Sequence, residues 1–317
     1  SREIERTDGA LGRDQRMTHD TPPSGGPLQG FTVIDLTRGL AGPYCTLPPP
    51  DPGARATLVS AAPGRPQGPA SAGRGEFHSL LIRENTMSKQ FDVVVIGAGP
   101  GGYIAATRAA QAGMSVAGFD AWQNGQGGPA PGGTCTNVGC IPSKALLQSS
   151  EHFEQANHHF AEHGIEVKGV SLKLDTLIGR KNSVVKQNND GILYLFKKNK
   201  VTFFHGKGAF AGQVEGGWAI KVTGTAEEDL VAKHVVVATG SSVRELPGLP
   251  FDEKVVLSND GALNIGAVPK TLGVIGAGVI GLEMGSVWRR LGSEVTILDA
   301  MSEFLAAADG QVAQEAQ

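Results

Sequence analysis

The sequence predicts an α/β protein: a three-layer, doubly wound unit carrying an antiparallel meander, followed by the opening of a second unit of the same kind. Three observations predict it. The segment VVVIGAGPGGYIAATRAAQAGMSVAGFD (93–120) returns as LGVIGAGVIGLEMGSVWRRLGSEVTILD (272–299), and Gly97, Gly99, Gly102, Gly113 and Asp120 of the first copy are matched at one constant offset by Gly276, Gly278, Gly281, Gly292 and Asp299. In each copy a β-branched run (Val93 to Ile96; Val274 and Ile275) leads into glycines and then a helix-compatible stretch. Between the copies, short extended runs separated by turn residues read as a meander.

Taken in order, 91–96 is a strand, 100–112 a helix and 115–119 a strand. An irregular glycine-rich loop over 124–133 leads into a helix beginning near the two cysteines Cys135 and Cys140. A helix from about residue 173 to 198 precedes extended runs at 201–205, 217–224 and 229–238. The apolar run VVVATG closes the first unit, the linker ELPGLPFDEK follows, and the second unit starts near residue 266. Exposed strand edges, and with them a tendency to aggregate, are expected where the sequence stops. Residues 1–86 hold eleven of the eighteen prolines and show no sustained periodicity apart from FTVIDL at 31–36. They are expected to be a low-complexity, disordered leader. The expected domains are therefore 1–86, 87–245 and 246–317.

Each glycine-rich copy has the chemistry of a dinucleotide site on a Rossmann-like unit. The first glycine (Gly97, Gly276) serves the tight turn, the second (Gly99, Gly278) lets the backbone approach a pyrophosphate, and the third (Gly102, Gly281) lets helix and strand pack closely. The helix N-terminus then points at the phosphates. Asp120 and Asp299 fall at the end of the next strand, where a carboxylate accepts ribose hydroxyls and repels a 2′-phosphate, so the second site should prefer NAD to NADP.

Cys135 and Cys140 lie in GGTCTNVGCIPSK. On a regular helix a spacing of five rises about 7.5 Å, beyond the ~7 Å Cα separation a disulfide tolerates. The pair closes only if the turn between them is distorted; Gly139 supplies that freedom, and Pro142 suits the first turn of the helix that follows. A thiol near a helix N-terminus has its thiolate stabilised, as an exchange nucleophile requires. The competing readings are two inert cysteines and half of a zinc site. No second cysteine or histidine pair at ligand spacing lies near, so no metal site is expected.

From Met87 onward the chain resembles the flavin-dependent pyridine-nucleotide disulfide oxidoreductases, and among them the dihydrolipoamide dehydrogenases of bacterial type. The residues that carry the resemblance are GAGPGGY (97–103), GGTCTNVGCIPSK (132–144), VVVATGS (235–241) and GAGVIGLEMGSVWRRLGSEVTILD (276–299), with FKKNKVTFFHGKGAF and DGALNIGAVPK between. Thr136 departs from the family's usual Leu. The resemblance implies FAD on Gly97, Gly99, Gly102 and Asp120, with Gly133, Thr134, Lys144, Gly208, Thr239, Gly240 and Ser241 completing that site. It implies NAD on Gly276, Gly278, Gly281, Glu283 and Asp299. It also implies that Cys135 is the interchange thiol meeting dihydrolipoamide, presented on a 2-oxo acid dehydrogenase complex, and that Cys140 communicates with the flavin. Lys144 and Glu283 read equally as solvated helix residues from their own positions.

The resemblance stops at Gln317, inside the second unit. It implies that the rest of that unit, a segment completing the flavin unit and an interface domain carrying the acid–base His and Glu lie beyond the sequence, together with most of the homodimer interface. His152, His158, His159 and His163 read as polar helix positions and offer no substitute. Two readings follow: a dihydrolipoyl dehydrogenase sequence present as an N-terminal fragment, or a catalytically silent FAD-binding remnant or chimeric reading frame. The second is physically favoured for this polypeptide, and the first describes what it derives from. Within the leader, PLQGFTVIDLTRGLAGPYCTL and DPGARATLVS (27–60) resemble the start of the family III CoA-transferases, but Pro48 to Pro50 break the helix expected after GPYCT. That segment cannot bury a core, and Cys45 within it is read as incidental.

Composition excludes other classes. A net charge of −3 with no basic stripe excludes nucleic acid as the expected partner. The longest apolar runs fall far short of the ~20 residues that span a bilayer. Glu3, Glu5, Asp8 and Asp14 without an apolar stretch argue against a targeting peptide. Three cysteines without a paired framework fit a reducing cytoplasm.

Overall fold

The computed structural model describes residues 88–224, 227–301, 304–305 and 308–317. The low-complexity leader, its CoA-transferase resemblance, Cys45 and Met87 lie outside the described residues.

The first unit opens with β1 (Lys89–Ile96), α1 (Pro100–Gln111) and β2 (Val116–Asp120). Its β-branched run makes β1 a central strand, parallel to β2 through Val93↔Val116 to Ile96↔Phe119. Alternation along β1 divides two cores. Val93 and Val95 face α1 and the later helix α4 (Leu174–Lys198), meeting Ile192 and Phe196. Val94 and Ile96 face the opposite side, among Phe119, Phe204, Ile220, Val222 and Leu230. Between β2 and α4 come α2 (Gly133–Val138) and α3 (Cys140–His158).

After α4 the chain forms β3 (Thr202–Val214), β4 (Gly217–Gly224) and β5 (Glu228–Val237). The run expected to be short, 201–205, is a strand of 13 residues. Its first part pairs parallel with β2 (Ala117↔Thr202 to Asp120↔His205); its second part leaves β2 and pairs antiparallel with β4, with a register shift between Phe210 and Gly212. Likewise β5 is antiparallel to β4 and parallel to β1. The two long strands thus close the ladder β1-β2-β3-β4-β5 into a cycle, where the sequence reading has a meander alone. Glycines hide the strand from its pattern and permit the crossing. A Cβ on Gly206 would lie 2.4 Å from Thr223 O, and one on Gly208 would lie 2.8 Å from the Phe119 ring.

The second unit contains α5 (Asn259–Ala262), β6 (Thr271–Ile275), α6 (Val279–Arg290), β7 (Glu294–Leu298) and α7 (Gly310–Ala316). Strands β6 and β7 are parallel, Thr271↔Glu294 to Ile275↔Leu298. Helix α6 covers one face; on the other, Ile275 and Leu298 are 61% and 60% exposed. A third core joins this unit to the first: Leu146 of α3 and Leu177 of α4 meet Leu263, Met284, Val287, Trp288 and Leu291.

Helix α4 is the pillar of the arrangement. Its buried stripe of Leu177, Lys181, Asn189, Ile192 and Phe196 follows helical spacing, and the polar members reach other segments. Lys181 Nζ donates to Leu263 O (3.1 Å) and Asn264 Oδ1 (2.6 Å). The neighbouring Arg180 donates to Ala145 O, Ser149 Oγ and Gln148 Oε1 of α3.

Trp288 is fully buried and its Nε1 donates to Ala262 O at 3.0 Å. Trp288→Ala is expected to cost about 3–5 kcal/mol, from lost packing and an orphaned carbonyl, read as a lowered midpoint in urea denaturation followed by circular dichroism.

Candidate functional site

The two glycine turns share their backbone conformation and hydrogen bonds at corresponding residues. In the first, Gly97 has φ 99° and donates its N–H to Phe119 O (3.1 Å); in the second, Gly276 has φ 105° and donates to Leu298 O (2.7 Å). Both φ values fall where only glycine is unstrained. A Cβ on Gly102 would lie 1.8 Å from Gly97 O, and one on Gly281 would lie 2.1 Å from Gly276 O. Ala98 N–H donates to Asp120 Oδ2 (3.1 Å) and Ala277 N–H to Asp299 Oδ2 (2.6 Å). The other oxygen of each acid accepts from Trp122 N–H or Met301 N–H, both at 2.8 Å. Each carboxylate therefore latches its own turn to the end of the next strand.

Both turns present backbone donors of the kind a dinucleotide's pyrophosphate takes. Gly99 and Gly278 are the N-cap residues of α1 and α6, and no side chain caps either helix start, which leaves backbone donors for an anion. Where a Cβ on Gly278 would stand, no atom lies within 4 Å.

The acids differ in their surroundings. Asp120 is 5% exposed, and burial raises its pKa against the N–H groups of Trp122, Ala98 and Gly132. Asp299 is exposed, and the N–H groups of Met301 and Ala277 hold its carboxyl below the usual range.

The dithiol segment lies against the first turn. Gly132 and Gly133 take φ 136° and 58°, and a Cβ on Gly133 would come within 2.8 Å of Gly99 Cα. Helix α2 then ends at Val138, Gly139 breaks the helical path, and α3 starts at Cys140. That break brings Cys135 and Cys140 to a Cα separation of 4.7 Å, joined as a disulfide. A Cβ on Gly139 would meet Thr134 O at 2.9 Å and Cys135 Cα at 3.1 Å, so the break admits no side chain. Thr136 is buried, and its side chain sits over the bare Cα of Gly132.

Lys144 follows Cys140 by four residues on α3, on the same helix face. Its Nζ pairs with Glu283 Oε1 of α6, so two residues read separately from the sequence form one ion pair between the helix of the cysteines and the helix of the second turn. Thr134 Oγ1 donates to Ser241 O (3.3 Å), and Ala238 N–H donates to Ile96 O (2.8 Å). The turn of Thr239, Gly240 and Ser241 is thereby set beside both the first glycine turn and the cysteine segment. Gly208 stands apart on β3, against the Phe119 ring.

Three asparagines that sequence reading passed over hold the cysteine loop. Asn137 Nδ2 donates to Ala130 O and Gly133 O (both 3.0 Å). Asn189 of α4 donates to Pro131 O (2.7 Å) and Asn137 Oδ1 (3.1 Å). Asn259 donates to Val138 O. Only Asn189 carried a signal, as one of two polar residues, with Lys181, within a largely apolar helical stripe.

Gly102→Ala and Gly281→Ala are each expected to destabilise the fold by at least about 2 kcal/mol, because the new methyl meets backbone oxygen; urea denaturation reads the loss. For Asp299, a folded pKa below its unfolded value of 3.8 stabilises the fold at every pH above that value, and the contribution is lost as pH falls below it. Asp299→Asn is therefore expected to flatten the acid limb of the thermal midpoint as pH falls below about 4. Asp120 has the opposite sign, its ionisation opposing folding as pH rises through the raised value.

Comparison with known proteins agrees with this geometry. The family model described as pyridine nucleotide-disulphide oxidoreductase matches residues 91–317. The chain is 55% identical over 233 residues to dihydrolipoyl dehydrogenase of Cupriavidus necator, covering 73% of this chain and 48% of that protein. It is 47% identical over 249 residues to mitochondrial dihydrolipoyl dehydrogenase 1 of Arabidopsis thaliana (78% and 48%), and 47% identical over 232 residues to leghemoglobin reductase of Glycine max (73% and 42%). Among solved structures, LpdA from Mycobacterium tuberculosis aligns with a TM-score of 0.63 at 25% identity, over 72% of this chain and 48% of that one. The chain spans about half the length of the curated relatives it matches. FAD and NAD are the cofactors of the dihydrolipoyl dehydrogenases. With the paired glycine turns and the bridged cysteines in one arrangement, the chain belongs to the pyridine nucleotide-disulphide oxidoreductase family.

Proposed function

We propose that the chain carries the dithiol-exchange centre and the dinucleotide turns of a dihydrolipoyl dehydrogenase-type flavoprotein. One observation supports this reading above the others: the Cys135–Cys140 bridge lies on a segment whose Gly133 abuts Gly99 of the first turn. FAD would be held by Gly97, Gly99, Gly102 and Asp120, with Gly133, Thr134, Lys144, Thr239, Gly240 and Ser241 around it and Gly208 further along. NAD would be held by Gly276, Gly278, Gly281, Glu283 and Asp299. Residues 87–245 form the flavin unit and 246–317 the nicotinamide unit in this reading.

The substrate is a dithiol of the dihydrolipoamide class. Its first thiolate attacks Sγ of Cys135, and the Sγ–Sγ bond breaks with Cys140 leaving as thiolate. The second substrate thiol displaces Cys135, closing the substrate's disulfide; two electrons now reside on the Cys135–Cys140 dithiol. Cys140 at the start of α3 has its thiolate favoured by the helix N-terminus. When bound, FAD supplies two-electron acceptance from the dithiol and hydride delivery to NAD. Lys144 keeps a positive charge one turn beyond Cys140, and Glu283 fixes where that charge sits.

The natural carrier of the substrate would be a 2-oxo acid dehydrogenase complex, and the cytoplasm the compartment, on the strength of the Cupriavidus relative and of a single exchange-competent bridge. Among the described residues no helix is long and apolar enough to cross a membrane. The second reading is a catalytically silent FAD-binding remnant or chimeric reading frame.

The visible spectrum separates the two. The purified chain supplied with FAD is expected to retain yellow flavin and to bleach on addition of dihydrolipoamide. Cys135→Ser and Cys140→Ser are each expected to retain flavin equally but to bleach at least about a hundredfold more slowly, since no disulfide remains to exchange. A soluble, colourless chain favours the remnant, and unaltered bleaching in Cys140→Ser overturns the exchange mechanism.

A further inference from the structure

Val138 ends α2 and Cys140 begins α3, so the single residue between them, Gly139, decides whether the two sulfurs meet. Gly139 has no side chain with which to stiffen its own turn. The turn is instead gripped from outside: the amide of Asn259, 121 residues further on, donates to the Val138 carbonyl.

Asn259 is a firmly mounted donor. It opens α5, whose N-cap Ser258 accepts from Asp260 N–H through Oγ at 3.2 Å. Trp288 of α6 holds Ala262 O at 3.0 Å. Lys181 of α4 holds Leu263 O at 3.1 Å and Asn264 Oδ1 at 2.6 Å. Ala262 N–H and Leu263 N–H return to Ser258 O and Asn259 O. Two separate helices, α4 and α6, thus fix a short turn of chain whose first side chain reaches the backbone of the cysteine bridge.

We propose that Asn259 is a positioning residue for the Cys135–Cys140 pair: by holding the Val138 carbonyl it favours the backbone path of the closed disulfide over that of the open dithiol. The proposal rests on the redox reading of the pair. Opening the bridge frees Gly139 to relax, and a donor fixed in place by α4 and α6 does not follow a carbonyl that swings away. The hydrogen bond therefore contributes more to the oxidised chain than to the reduced one.

The test is the exchange equilibrium of the full chain with dithiothreitol, without added flavin. Each dithiothreitol gives up two electrons and two protons and closes to its cyclic disulfide, while the Cys135–Cys140 bond opens to two thiols. Alkylation and mass measurement across a series of reduced-to-oxidised ratios give the exchange constant. Asn259→Asp and Asn259→Ala, which both lack the donor, are expected to be reduced about fivefold more readily at equilibrium, the worth of one net hydrogen bond. Their urea midpoints should fall further in the oxidised form than in the reduced form. An unchanged exchange constant in both variants overturns the proposal, because a merely structural contact would destabilise both redox forms equally. A wild-type pair that refuses exchange at every ratio instead overturns the redox reading itself, and that result is read without any variant. Should both Asn259 variants fail to fold, Trp288→Phe, which loses the Nε1 donor and keeps an aromatic ring, reads the same couple. A shift toward the dithiol then supports the proposal, and none overturns it.

Discussion

Both glycine turns depend on a contact from which a side chain is missing. At Gly102 and Gly281 the helix lies so close to the preceding turn that a methyl would penetrate the carbonyl oxygen of Gly97 or Gly276. That approach draws α1 under β1 and α6 under β6, and it leaves Ala98 N–H and Ala277 N–H free to be taken by Asp120 and Asp299. Strand, turn, helix and the next strand are locked as one piece by a single close approach and a single carboxylate. The first of these pieces then sets the cysteine loop, because Gly133 rests on Gly99.

The two copies share geometry and differ in environment. Strand β1 is paired on both sides within a closed cycle, with a core on each face. Strands β6 and β7 have one covered face. The same acid therefore behaves oppositely: burial disfavours the charge of Asp120, while exposure and two N–H donors favour that of Asp299. Under the proposed reading this suits the tasks, since repulsion of a 2′-phosphate needs a full charge and belongs to the second turn.

Much of this was legible in the sequence, where local chemistry decides the structure. The glycines of each turn, the helix at 173–198 and the need for a break at Gly139 follow from dihedral limits, helical periodicity and the reach of a disulfide. What escaped depends on segments remote in the chain. The 13-residue β3 hides because Gly206 and Gly208, strand-breaking by propensity, are required where it crosses Thr223 and Phe119. Lys144 and Glu283 each look solvated until α3 and α6 are brought together by the core around Trp288. Asn137 and Asn259 are ordinary turn residues until the carbonyls they serve come into range.

The short span of the cysteine bridge has a consequence for durability. A cross-link between residues 5 apart removes little disorder from an unfolded chain, about 2 kcal/mol on the chain-entropy model, against nearly 5 for a loop of a hundred residues. The loop's architecture rests instead on Asn137 and Asn189, neither of which changes chemically when the sulfurs part. The bridge is thus a small fastening on a loop that the side-chain amides hold as well, and under the proposed reading that is what lets it open and close without dismantling its surroundings.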